Sequence, residues 1–66
     1  MRYEKGERVV VMCYGNEKPH GKVVAIYKTD IGVYYDVLLD KGNKVVYNRS
    51  KYDMILESAY EEMENS

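Results

Sequence analysis

The sequence predicts a small all-β domain: a five-stranded antiparallel barrel with a short 3₁₀ turn before its last strand and an acidic C-terminal tail. Three observations carry this. Short runs rich in valine, isoleucine and tyrosine recur along the chain, which is the residue usage of strands. Clusters of Gly, Asn, Asp and Pro separate those runs where turns are needed. The chain has 66 residues, enough for one core only, and a sheet this small is strongly bent and has to close on itself to avoid exposed edges.

Residues 8–13, Arg-Val-Val-Val-Met-Cys after Gly6, read as the first strand. Residues 14–21 form a long loop of Gly, Asn, Pro and charged residues. Residues 22–28 follow as a second strand, closed by Thr29, Asp30, Ile31 and Gly32. Residues 33–40 alternate, with Val33, Tyr35, Val37 and Leu39 on the core face and Tyr34, Asp36, Leu38 and Asp40 on the other. Asp40, Lys41, Gly42 and Asn43 make a hairpin turn into a fourth strand over residues 44–47. Residues 48–53 break the β pattern for about one helical turn, fit for a 3₁₀ segment and too short for an α-helix. Met54, Ile55 and Leu56 are a brief fifth strand. The expected core is Val9, Val11, Val23, Ile26, Tyr35, Val37, Leu39, Val46, Ile55 and Leu56.

Residues 1–57 therefore form the barrel and residues 58–66 the tail. Ser58 is the expected N-cap of a frayed helix with Glu61 and Glu62 in its first turn, although nine mostly polar residues fit a disordered end equally well. Charge is divided unevenly: residues 1–56 hold ten Lys and Arg against seven acids, while Glu57, Glu61, Glu62 and Glu64 close the chain, so the body is +3 and the tail −4. The isoelectric point of 5.7 lies well below the value above about 9 typical of nucleic-acid-binding domains. That split suggests that the tail folds back on the body and competes with an acidic partner.

The chain reads as a complete short gene product, and its longest apolar run, residues 9–13, is far below the roughly 20 residues of a membrane span. Its first residues lack the apolar stretch of a signal peptide, which points to the cytoplasm. Cys13 is the single cysteine, excluding an internal disulfide, and its valine-rich setting suggests a small buried hydrophobe.

The spacing Gly6-x-x-Val9-x-Val11, then Gly21-x-Val23-x-x-Ile26, then Tyr35-x-Val37-x-Leu39-Asp40-x-Gly42, resembles the SH3-like small barrels over about residues 5–57. Within that group, a long first loop, a Tyr-x-Val strand and a short closing strand are similar to the E-type accessory protein of photosystem I, with KOW and Tudor-like barrels close by. The resemblance implies an SH3-like fold. Independent small barrels of this type often come from phages or mobile elements.

Catalytic chemistry finds no support. A nucleophile would need Cys13 or a serine brought to His20, the one histidine, with a third orienting group, and no local motif arranges this. Cys13 and His20 are too few for a structural zinc site. Asp36, Asp40 and Asp53 are the carboxylates that could cluster, but turn and cap positions explain Asp40 and Asp53. No glycine-bearing loop leads from a strand into a helix, so a phosphate loop is absent. The expectation is a non-enzymatic chain with no catalytic residue, metal or cofactor.

Eight tyrosines with no Phe or Trp is a skewed usage, and tyrosine pairs an apolar ring with a hydroxyl that seeks water or a polar partner. Tyr14, Tyr34 and Tyr52 are expected to meet where the long first loop, the turn before the third strand and the 3₁₀ turn converge, with Tyr47 and Arg49 at the border. Such a face suits a protein partner, because aromatic walls dock extended peptides, and the tyrosine usage fits equally well a tiny barrel that covers its thin core with tyrosine. The alternative is single-stranded nucleic acid or a ribonucleoprotein, with the tyrosines stacking bases and Lys18, Lys22, Lys28, Lys44, Arg49 and Lys51 along the phosphates. A continuous strip through Lys22, Lys28, Lys44 and Arg49 would favour nucleic acid; a tyrosine groove with neutral edges would favour a peptide.

Overall fold

A computed structural model describes residues 2–65. Five strands, β1 (Arg8–Val11), β2 (His20–Thr29), β3 (Gly32–Leu39), β4 (Val45–Ser50) and β5 (Met54–Leu56), form one antiparallel sheet in the order β4-β3-β2-β1-β5. A 3₁₀ turn, Lys51–Asp53, joins β4 to β5, and helix α1 (Glu57–Glu64) follows β5 without a loop. Among the described residues no helix is long and apolar enough to cross a membrane.

The sheet is barrel-like but not closed, which corrects the expected closed barrel. Residues 48–50 extend β4 where the sequence suggested the start of the turn, and the 3₁₀ segment is only three residues long. β5 is left with three residues, all paired with β1, so β4 and β5 stand as the two edges. Ser50 and Asp53 hold the turn between them: the Ser50 Oγ accepts the Tyr52 amide at 3.2 Å, and the Asp53 carboxylate accepts the Ser50 amide at 3.2 Å.

Two irregularities bend the sheet. The register between β2 and β3 shifts between Val23 and Ala25. Between β3 and β4 it shifts around Asp36, so that Tyr47 and Asn48 together oppose one residue, and Asn48 takes a positive φ of 56°. Asp36 holds this bulge. Its buried carboxylate accepts the Asn48 amide at 3.1 Å and the Tyr27 hydroxyl at 2.8 Å. Gly21 lets β2 and β3 approach closely: a β-carbon there would stand 2.5 Å from the Leu38 carbonyl oxygen.

The core gathers Tyr3, Val9, Val11, Val23, Tyr35, Val37, Leu39, Val46 and Met54, with Ile26 and Leu56 partly buried against it. Seven of the ten expected core residues are fully inside. Ile55 is not among them: it pairs with Val10, between Met54 and Leu56, on the opposite face of β5. Tyr3 joins from the N-terminal segment. Its hydroxyl donates to the Met54 carbonyl at 3.0 Å, its amide to the Tyr35 hydroxyl at 3.2 Å, and the two rings meet edge to face at 5.5 Å.

Val10 is fully buried although alternation turns it away from Val9 and Val11. α1 packs on β1 and β5, and so covers this second face. The tail is thus a helix, and its N-cap is Leu56, which makes no side-chain capping bond, rather than Ser58. Cys13 is exposed and not the buried hydrophobe expected, because β1 ends at Val11 and the chain turns outward once the Met12 amide has bonded the Asp53 carbonyl at 2.7 Å.

Candidate functional site

The expected aromatic face divides in two. Tyr34 and Tyr52 line one groove of about 730 Å³, with Ile31 and Val33 from the β2–β3 turn and β3, and with Asn48, Ser50, Lys51 and Asp53 from β4 and the 3₁₀ turn. Arg2 also lines it. Tyr14 lies elsewhere, in a second groove of about 610 Å³ between residues 14–20 and the β3–β4 turn. Tyr47 is 63% exposed and lines neither groove, and Arg49 also stands outside both, its Nε donating to the Tyr47 carbonyl at 3.1 Å.

The first groove carries the most exposed large apolar side chains of the described residues, Ile31 at 85% and Tyr52 at 82%. Exposure of this degree on two sides of one depression leaves apolar area facing water that a ligand could cover. The groove is built rigidly: the Ser50–Asp53 cap fixes the backbone beneath Tyr52, and the Thr29 hydroxyl accepts the Ile31 amide at 3.3 Å and donates to the Gly32 carbonyl at 2.8 Å. Its one acid, Asp53, is occupied by Ser50. The Lys51 ammonium lies over the Tyr52 ring, 5.3 Å from its centre.

At the other end of the sheet the charges satisfy one another. The Arg8 guanidinium donates to both Asp40 oxygens, with the Nη1 bond at 2.8 Å, and to both Glu57 oxygens, with the Nη2 bond at 3.0 Å. Glu57 also meets the His20 Nδ1 at 2.7 Å, and the His20 ring packs edge to face on Tyr60 at 5.9 Å. Arg8, bonded to Asp40 and then Glu57, stays above its ordinary pKa. Asp40 is held low by Arg8; Glu57 is held low by Arg8 first and His20 second. Sequence reasoning missed this clamp because Arg8 and Glu57 lie 49 positions apart. Glu57 does bring the tail onto the basic body, while Glu61, Glu62 and Glu64 remain exposed.

The three aspartates singled out in the sequence are each spoken for: Asp36 by Tyr27 and Asn48, Asp40 by Arg8, Asp53 by Ser50. The four cations expected to mark a phosphate track fall at different points along β3. On the β3 register Lys22 faces Leu38 and Lys28 faces Val33, five residues or about 17 Å apart. Lys44 lies just before Val45, which also pairs with Leu38, whereas Arg49 pairs with Tyr35. Comparison with family models, with curated proteins and with solved structures returns no match to this chain.

Proposed function

We propose that this chain is a non-enzymatic protein-interaction module of the SH3-like kind, and that its binding face is the groove between the β2–β3 turn and the 3₁₀ turn. One observation carries the proposal: Ile31 and Tyr52, both more than four-fifths exposed, flank a groove that also holds Tyr34. An extended peptide laid between them would bury apolar area that the fold leaves in water, with aromatic walls as anchors. The strand order and the single 3₁₀ turn ahead of β5 are in keeping with the SH3-like resemblance.

The test is selection of peptides from a random display library on the immobilised protein, followed by amide NMR titration of the winners. Binding should shift Ile31, Tyr34, Lys51 and Tyr52, and Tyr52→Ser should weaken it by about tenfold or more, as for an aromatic anchor at an interface. A library that yields no binder, or binders whose shifts fall outside this groove, would defeat the proposal.

A further inference from the structure

The second groove has a chemistry different from the first. Tyr14, Pro19 and Leu39 supply its apolar surface, and Lys18, Lys41 and Lys44 bring three cations to it from two opposed loops. Two acids, Glu17 and Asp40, also line it. Arg8 is shared between Asp40 and Glu57, so the three lysines stand against two lining carboxylates, Glu17 and Asp40, while His20, which also lines the groove, meets Glu57. The excess is one positive charge, and one of the three lysines, Lys44, lies over the Tyr14 ring, which is itself partly buried against the core.

The two walls are fixed in place. Tyr14 and Glu17 pair across a tight turn with Gly15 at a φ of +62°, and the Val11 amide bonds the Pro19 carbonyl at 2.9 Å. The opposite wall is the β3–β4 turn, where Gly42 and Asn43 take φ values of 75° and 50° and the Leu39 amide bonds the Lys44 carbonyl at 2.8 Å. The Lys44 ammonium lies 5.6 Å from the centre of the Tyr14 ring, which ties the walls together. Lys44 is held above its ordinary pKa by the Tyr14 hydroxyl, so its charge is secure at neutral pH.

We propose that this groove binds a nucleoside di- or triphosphate, with the base against Tyr14 and the phosphates between Lys18, Lys41 and Lys44. Stacking on an aromatic ring and several lysines within reach of one polyphosphate are the two requirements of such a ligand. Lys18, Lys41 and Lys44 all line this one depression, which fits a small anion. The proposal concerns binding, with no bond broken, and does not depend on the peptide groove.

Amide NMR titrations of the full chain with ADP, pyrophosphate, adenosine and a short thymidine oligonucleotide, at low and at physiological salt, provide the test. ADP should give saturable shifts at Tyr14, Lys18, Lys41 and Lys44, with pyrophosphate and adenosine each weaker by about tenfold or more. Tyr14→Leu should lose about tenfold, and Lys41→Ala, at an exposed turn position, about threefold with no change in melting temperature. Pyrophosphate binding as tightly as ADP would reduce the groove to a cationic spot and overturn the assignment. So would unchanged ADP affinity in Tyr14→Leu, absence of saturation, shifts confined to Ile31, Tyr34 and Tyr52, or an oligonucleotide affinity far above that of ADP.

Discussion

The end of the sheet where α1 docks and the end where the 3₁₀ turn meets the β2–β3 turn treat their side chains in opposite ways. At the helical end, Arg8, Asp40, Glu57 and His20 spend their polar atoms on one another, and Tyr60 rests on the His20 ring. At the other end Ile31 and Tyr52 lie mostly in water over turns held by the Ser50–Asp53 cap and the Thr29 hydroxyl. Side chains that satisfy each other hold the fold together. Side chains left exposed on a stiff frame are available to something else.

The largest effect should come from the core that both ends share. Val37 is fully buried, and Val37→Asp would place a carboxylate among apolar side chains at a cost of several kcal/mol, comparable with the whole stability of so small a domain. Amide NMR dispersion should collapse at both ends together; retention at either would show that the two fold separately. Gly21→Ala comes next, because its β-carbon would meet the Leu38 carbonyl oxygen at 2.5 Å and a Val37 methyl at 2.9 Å. Urea denaturation should show a loss of about 1–3 kcal/mol.

Arg8→Met should act on one end alone. Hydrogen exchange in α1 should accelerate while the amides of Ile31, Tyr34 and Tyr52 keep their shifts, and movement at both ends would break the comparison. The same clamp gives a pH signature. Asp40 and Glu57 have folded pKa values below their unfolded ones, so their contribution is complete above the ordinary carboxylate range and fades as pH falls through the lowered values. Melting curves of the native chain and Arg8→Met should differ at neutral pH and converge in acid. The smallest effect on stability belongs to Tyr52→Ser, which should change the unfolding free energy by less than about 0.5 kcal/mol while weakening peptide binding by about tenfold or more.

Much of the fold was legible because its signals are local. β-Branched runs and turn residues located all five strands, and alternation in β3 chose Tyr35, Val37 and Leu39 as its inward face. What escaped depends on distant partners. Tyr3 sits in a charged N-terminal segment, and only its contacts with Tyr35 and Met54 make it a core residue. Val10 and Ile55 share the face of the sheet opposite the core, a placement set by the register of β1 on β5. The grouping of Tyr14 with Tyr34 and Tyr52 failed for a related reason. A loop's composition does not say toward which end of the sheet it folds, and residues 14–19 lie against the β3–β4 turn.

The bulge at Asn48 also governs how this molecule meets its own kind. β4 is an open edge, and such edges invite strand-by-strand addition and insoluble assembly. Here the Asn48 amide is turned toward Asp36, so the row of outward donors is broken within six residues. β5, at the other edge, is only three residues long and runs straight into α1. Both margins are therefore poor seats for a further strand, and strand-by-strand addition is opposed at each.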